Sequence, residues 1–212
     1  MSSLSSTIIQ DIEASCKAGK ASMAYFYFDF RDADKQNLHA LLPSLFTQLS
    51  ARSASRCDVL SKLYLDHDEG KSHPSDDVLT QCLKAVLALS SEDPVYLIID
   101  ALDECPDSHG IPSPRERLLQ FIKELVELRI QNVHICVTSR PEIEIREVLE
   151  PLTSCRVCLH DQTGQKEDIA DYIKSVVYSN SESIMRRWRA EDKELVVETL
   201  TNRANGMYVN CC

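Results

Sequence analysis

The stretch Val95-Tyr96-Leu97-Ile98-Ile99-Asp100-Ala101-Leu102-Asp103-Glu104 constrains the chain more than any other. Five apolar residues in a row, rich in β-branched and aromatic types, read as a strand buried on both faces. Pro94 before them cannot donate a ladder hydrogen bond, so it belongs at the strand's first position or just outside it. The run ends in three carboxylates within five residues. An acid at the C-terminal end of a buried parallel strand faces the crevice where α/β sheets bind ligands. There Asp100 can meet a hydrated magnesium ion, which takes hard oxygen ligands and keeps several of its waters. Asp103 and Glu104 are placed to orient or deprotonate a water. The alternative is a strand end solvated by its acids.

The rest of the chain alternates around that strand. Leu4, Ile8, Ile9, Ile12 and Cys16 recur at one helical face over Ser3 to Lys17, with Gly19 as the residue that ends the helix. Met23 to Phe30 reads as a strand. Leu38 to about Ser50 is an amphipathic helix interrupted by Pro43, which predicts a kink or a late start. Cys57 to Leu65 is a third helix, and Ser75 caps a fourth that runs to Leu89. After the acidic strand, Ser113-Pro114-Arg115-Glu116 predicts a capping box with proline at the first helical position and a helix to about Arg129. Val133 to Thr138 and Cys155 to Leu159 are two more strands, with a short helix near Ile143 to Leu149 between them. From Gln165 onward the pattern is wholly helical, in segments Gln165 to Tyr178, Ser183 to Arg189 and Glu191 to Arg203. Strands alternating with helices predict an α/β fold with a parallel sheet covered on both sides. The change of pattern predicts a division into residues 1–163 and a small all-α subdomain, 164–212.

Charge and cysteine usage remove several functions. A formal charge of −10 and a pI near 5.1 argue against nucleic acid or an anionic membrane as a partner. No apolar run approaches the ~18 residues of a membrane span, and no secretory signal is visible, so the expected compartment is cytoplasmic. Nine cysteines, mostly scattered singly, fit reduced thiols better than a disulfide framework. Cys155 and Cys158 with His160 look like half a zinc site. In a strand, however, i and i+3 point to opposite faces, and no second ligand pair exists. Arg186, Arg187 and Arg189 around Trp188 form a basic–aromatic patch, read as a solvated face or a pairing surface for Asp and Glu.

Four blocks together resemble the NACHT-type NTPases of the STAND class, and among them the nephrocystin-like N-terminal domain common in fungal proteins. They are Ala24-Tyr25-Phe26-Tyr27-Phe28-Asp29-Phe30-Arg31-Asp32, the Walker B-like Leu97 to Glu104, Val137-Thr138-Ser139-Arg140-Pro141, and Asp168-Ile169-Ala170-Asp171-Tyr172-Ile173. The resemblance implies a three-layer P-loop NTPase-like parallel sheet followed by a helical lid. It implies Mg2+ and ATP or GTP as cofactors, and it assigns Arg140 a sensor role toward the terminal phosphate. Arg suits a phosphate through its planar fork, although a strand-end pairing with Asp103 or Glu142 is open.

A phosphate-cradling loop needs G-x-x-x-x-G-K-[ST] between a strand and a helix. Gly70-Lys71-Ser72 has only the last letters and sits among acids, and Gly19-Lys20 is followed by Ala21. The resemblance instead aligns Met1-Ser2-Ser3-Leu4-Ser5-Ser6-Thr7-Ile8-Ile9 with the start of the helix after that loop, with Ser2 on the magnesium-ligating serine. The chain then lacks the glycines, the lysine and the first, P-loop strand. That strand would lie between Val133–Thr138 and Cys155–Leu159, so a gap is expected there, with Ser2 and Asp100 on magnesium and Glu104, Asp103 and Arg140 as catalytic groups. Two functions follow. One is a fragment of a nucleotide-controlled signal-transduction switch, with nucleotide and protein partners in intact relatives and no competent turnover as written. The other is a non-enzymatic interaction module that keeps the fold. A thiol-sensing regulator acting through Cys155 and Cys158 is a third.

Overall fold

A computed structural model describes residues 3–51, 53–89, 93–107, 110–158, 163–178, 188–203 and 208–211. Its elements are α1 (Ser3–Lys17), β1 (Ser22–Tyr27), α2 (Leu38–Ser50), α3 (Ala54–Asp66), α4 (Asp76–Ala88), β2 (Val95–Asp100) and α5 (Pro114–Glu127). They continue with β3 (Val133–Ser139), α6 (Ile143–Leu149), β4 (Cys155–Cys158), α7 (Thr163–Val177), α8 (Ala190–Arg203) and β5 (Tyr208–Cys211). Two compact units result, Met1–Arg156 with Val209–Cys212, and Val157–Tyr208. In the second, α7 packs against α8.

The first unit is an α/β fold built on three parallel strands. β1 pairs with β2 from Ser22↔Val95 to Tyr27↔Asp100, and β2 with β3 from Val95↔Val133 to Ile99↔Val137. The two-residue period of a strand sorts their side chains into layers. Ala24, Phe26, Leu97, Ile99, Ile135 and Val137 belong to the large core shared with α2, α4 and α5. Met23 and Ile98, with partly buried Tyr96 and Cys136, pack on the opposite face against Ile8, Ile9, Ile12 and Cys16 of α1. Three layers follow from that parity.

Local signals formed as the chemistry requires. Ser113 accepts from Glu116 N while the Glu116 carboxylate accepts from Ser113 N, closing the capping box over Pro114. Ser75 caps α4 at Val78 N. Gly19 has φ +70 at the end of α1, a conformation that costs an L side chain about 1–2 kcal/mol. Other expectations need correction. Pro43 does not delay α2, which starts after its Asn37 cap and runs to Ser50 with the proline inside it. The first strand ends at Tyr27 rather than Phe30, because Phe28 N makes the last ladder bond, to Asp100 O, and the chain then turns, with Asp29 N donating to Lys35 O and Asp32 N to Asp29 O. Trp188 and Arg189 are not helical; the remainder of the expected Ser183–Arg189 helix lies outside the described residues, as do Leu159 and His160.

The largest correction concerns the end of the chain. The region after residue 163 is not wholly helical, because Tyr208–Cys211 is a strand. The sheet order is β1-β2-β3-β5-β4, so that strand stands between β3 and β4, where a gap was expected.

Candidate functional site

Parity also builds the site. Asp100 lies two residues beyond Ile98, so its side chain falls on the α1 face, and Thr138, two beyond Cys136, falls on the same face. Ser5 precedes Ile9 and Ile12 by four and seven residues, which puts it on the helix face that packs there. The three meet. Ser5 Oγ donates to Asp100 Oδ1 at 2.5 Å, and Thr138 Oγ1 donates to the same oxygen at 2.6 Å. Asp100 is 2% exposed and Thr138 fully buried. Two charge-assisted hydrogen bonds offset part of the cost of burying that carboxylate.

Thr138 does a second job. Its hydroxyl accepts from Ala101 N at 3.0 Å, and Ala101 adopts φ 57, a left-handed conformation that is uncommon for a residue with a Cβ. That reversal turns the chain out of β2 into the short 3-10 turn Leu102–Glu104, anchored by fully buried Leu102. Asp103 and Glu104 are thereby carried along the C-terminal edge of the sheet. Asp103 Oδ1 accepts from Arg140 N at 2.9 Å, and its Oδ2 stands 3.5 Å from Arg140 Nε. Glu104 accepts from Phe30 N at 3.1 Å, which ties it to the turn after β1.

That turn is itself stiff. Arg31 donates to both carboxylate oxygens of Asp29, at 3.0 and 3.1 Å, and Arg31 N donates to the first of them. These hydrogen bonds hold the Asp29 carboxyl at about 2, well below the usual carboxylate range. Gln36 donates to the carbonyls of Asp29 and Phe30. The Cys105 thiol donates to Gln36 O, and burial pushes that thiol up to about 12.

Of the residues expected to act, Asp100, Asp103, Glu104 and Arg140 gather at one end of β2 and β3. Ser2 lies outside the described residues. Arg140 is 68% exposed in its side chain and pairs with Asp103, whose side chain is 7% exposed, rather than with Glu142. Glu142 belongs to Arg115. Buried Arg115 donates through Nε to Cys105 O at 2.9 Å and through Nη2 to Asp103 O at 2.8 Å, and its Nη1 pairs with the Glu142 carboxylate. One guanidinium thus joins the turn after β2, α5 and the start of α6. Sequence reasoning read Arg115 only as part of a capping box and gave Ser5 no role, whereas the hydroxyls of Thr138 and Ser139 were expected near Asp100 from the strand end they share with Arg140. For Thr138 the signal was present, since it shares strand parity with Cys136.

One buried carboxylate beside two hydroxyls is a hard oxygen donor set, of the kind magnesium accepts. The residues present therefore fit that ion in kind. Among the described residues no group of three or more His, Cys, Asp or Glu could hold a metal, so the metal would take protein ligands one or two at a time, with water completing its shell. No helix of the described residues is long and apolar enough to cross a membrane.

A family model described as Nephrocystin 3, N-terminal matches residues 2–140. That stretch takes in β1, β2 and β3 together with Asp100, Asp103, Glu104 and Arg140. No curated protein and no solved structure matches the chain.

Proposed function

The chain belongs to the family described as nephrocystin 3, N-terminal, and from that membership we propose that it is the core of a nucleotide-controlled signalling switch of the NACHT type. The observation that carries the reading is Asp100, a carboxylate 2% exposed at the C-terminal end of a central parallel strand, with two hydroxyls on one oxygen. In an ordinary strand end that position holds a solvated or apolar residue. A carboxylate buried there needs a use that offsets its desolvation.

Magnesium, when bound, would neutralise phosphate charge and order the phosphates of ATP or GTP. Asp100 would hold the ion's side of the site, with Ser2 as the resemblance assigns it, while Thr138 and Ser5 fix the carboxylate's orientation. Arg140 reaches outward from the β3 end, where it can approach a terminal phosphate after leaving Asp103. Asp103 and Glu104 stand within one turn of each other and can hold a proton or orient a water. Such a protein would work in the cytoplasm as a switch that passes its nucleotide state to protein partners.

A second reading is favoured by one fact: Asp103 and Glu104 already accept hydrogen bonds from the protein's own backbone. That suits an interaction module that keeps the fold without nucleotide turnover. The discriminating experiment joins a glycine-rich loop and lysine ahead of Ser2 and compares that chain with its Asp100→Asn variant. Magnesium-dependent hydrolysis should fall at least about tenfold, or 1.4 kcal/mol, in the variant. Equal rates in parent and variant, or no hydrolysis in either, would leave the interaction module as the surviving reading.

A further inference from the structure

A groove of about 470 Å3 runs between α5 and α6, away from Asp100. Its floor is apolar, made by Leu119, Val148 and Leu152. Four of its lining residues are carboxylates and two are cations. Of the carboxylates, Glu144 and Glu147 stand three residues apart on exposed positions of α6, and neither makes a hydrogen bond or ion pair among the described residues. An apolar floor beside two unengaged carboxylates suits a ligand with a large apolar body flanked by cations.

The chain itself carries such a segment. Arg186-Arg187-Trp188-Arg189 holds three guanidinium groups around the only tryptophan in an otherwise acidic sequence, and Trp188 is 38% exposed. Trp and Arg are the residues that most often anchor interfaces, because one supplies area and the other a bidentate fork for carboxylates. We infer that this groove receives residues 186–189 of a second copy, with Trp188 on the apolar floor and the arginines on Glu144 and Glu147. The contact is head-to-tail, so each copy presents both a groove and a segment, and association builds open or ring-closed oligomers. The groove is small against a standard interface, which places the dissociation constant on the order of 10–100 μM and makes it sensitive to salt. Nucleotide has no part in this contact, so it stands or falls independently of the function proposed above.

Trp188 reports on it directly. The wild-type chain is diluted across about 1–200 μM, with sedimentation velocity giving its mass and tryptophan emission giving the environment of Trp188. The expected result is a mass above the monomer at the high end, a red shift on dilution, and dissociation by salt. Glu144→Lys with Glu147→Lys should weaken association at least about tenfold, as should Arg186→Glu with Arg187→Glu. Mixing the two charge-reversed chains should restore a heterodimer, since one reversed groove then faces one reversed segment. A labelled peptide of residues 183–190 should bind the wild-type chain and not the Glu144→Lys, Glu147→Lys variant, while the same peptide carrying Arg186→Glu and Arg187→Glu should bind that variant, which separates loss of the contact from loss of the fold. A wild-type chain that stays monomeric at the top of the range overturns the inference. So do charge reversals that leave its mass distribution unchanged, and reversed chains that ignore each other.

Discussion

Asp100 Oδ1 receives hydroxyl hydrogen bonds from Ser5 and Thr138, so losing either donor leaves a buried carboxylate less compensated. Thr138 is the more informative of the two because its hydroxyl also accepts from Ala101 N. Thr138→Val keeps the shape and removes both bonds. Its expected cost is about 1–3 kcal/mol, read as a lower urea midpoint at unchanged slope, while Thr138→Ser should stay near the parent. A Thr138→Val midpoint equal to the parent's would mean that the two bonds are not what holds Asp100. The Asp29–Arg31 clamp makes a pH prediction. Because the folded Asp29 carboxyl sits at about 2, below its ordinary value of 3.8, the clamp's contribution is fully present above about 3.8. It is lost as pH falls through about 2. A carboxyl-carbon NMR titration should show that midpoint, and Arg31→Ala should move it up toward the ordinary value; no movement would exclude Arg31 as the cause. At this scale the sequence displayed which acids sit at the strand end. It did not display their partners, because Ser5 and Arg115 are 95 and 12 residues distant from the groups they touch.

At the scale of elements, β1 is an edge strand of the sheet, and an exposed edge is a template for pairing with another chain. α2 protects it with a side chain. Gln48 accepts from Tyr25 N at 3.1 Å and donates to Tyr25 O at 2.8 Å, so its amide takes the place of a neighbouring strand. Gln48→Ala should cost about 1 kcal/mol for the lost bonds and raise light scattering on heating, through the freed edge. A variant that melts and scatters like the parent would show that α2 shields the edge by bulk alone. Element types were legible because their signals are short-ranged. The Ser113–Glu116 box and the Ser75 cap span three residues, and helical faces repeat within seven. The boundaries that moved did so for longer-range reasons. β1 ends where its partner does: Phe28 N makes the last ladder bond, to Asp100 O seventy-two residues away, and β2 turns off at Ala101, which no local pattern in β1 displays.

For the whole molecule, an acidic chain without a glycine-rich loop faces a polyanionic nucleotide with little to cradle it. Calorimetric titration of the 212-residue chain with Mg-ATP should give a dissociation constant weaker than about 10 μM, roughly −7 kcal/mol. Tighter binding would show that the loop is dispensable here. The expected thermal melt follows from the sheet order. A central gap would leave backbone groups unpaired, at about 1–3 kcal/mol each, but β5 stands between β3 and β4, so a cooperative melt is the expected outcome. The sequence by itself determined the element types other than β5, the three-layer parity and the carboxylate at the end of β2, because each follows from a period or a cap a few residues long. Only the tertiary structure decided that Ser5 and Thr138 share one oxygen of Asp100, that Arg140 pairs with Asp103, and that Arg115 binds two carbonyls and Glu142. It alone set Tyr208–Cys211 inside the sheet. Those outcomes depend on how a helix is rotated against a sheet and on which distant backbone groups meet. Loop-closure entropy grows only slowly with chain length, so separation in sequence neither forbids nor marks such pairings.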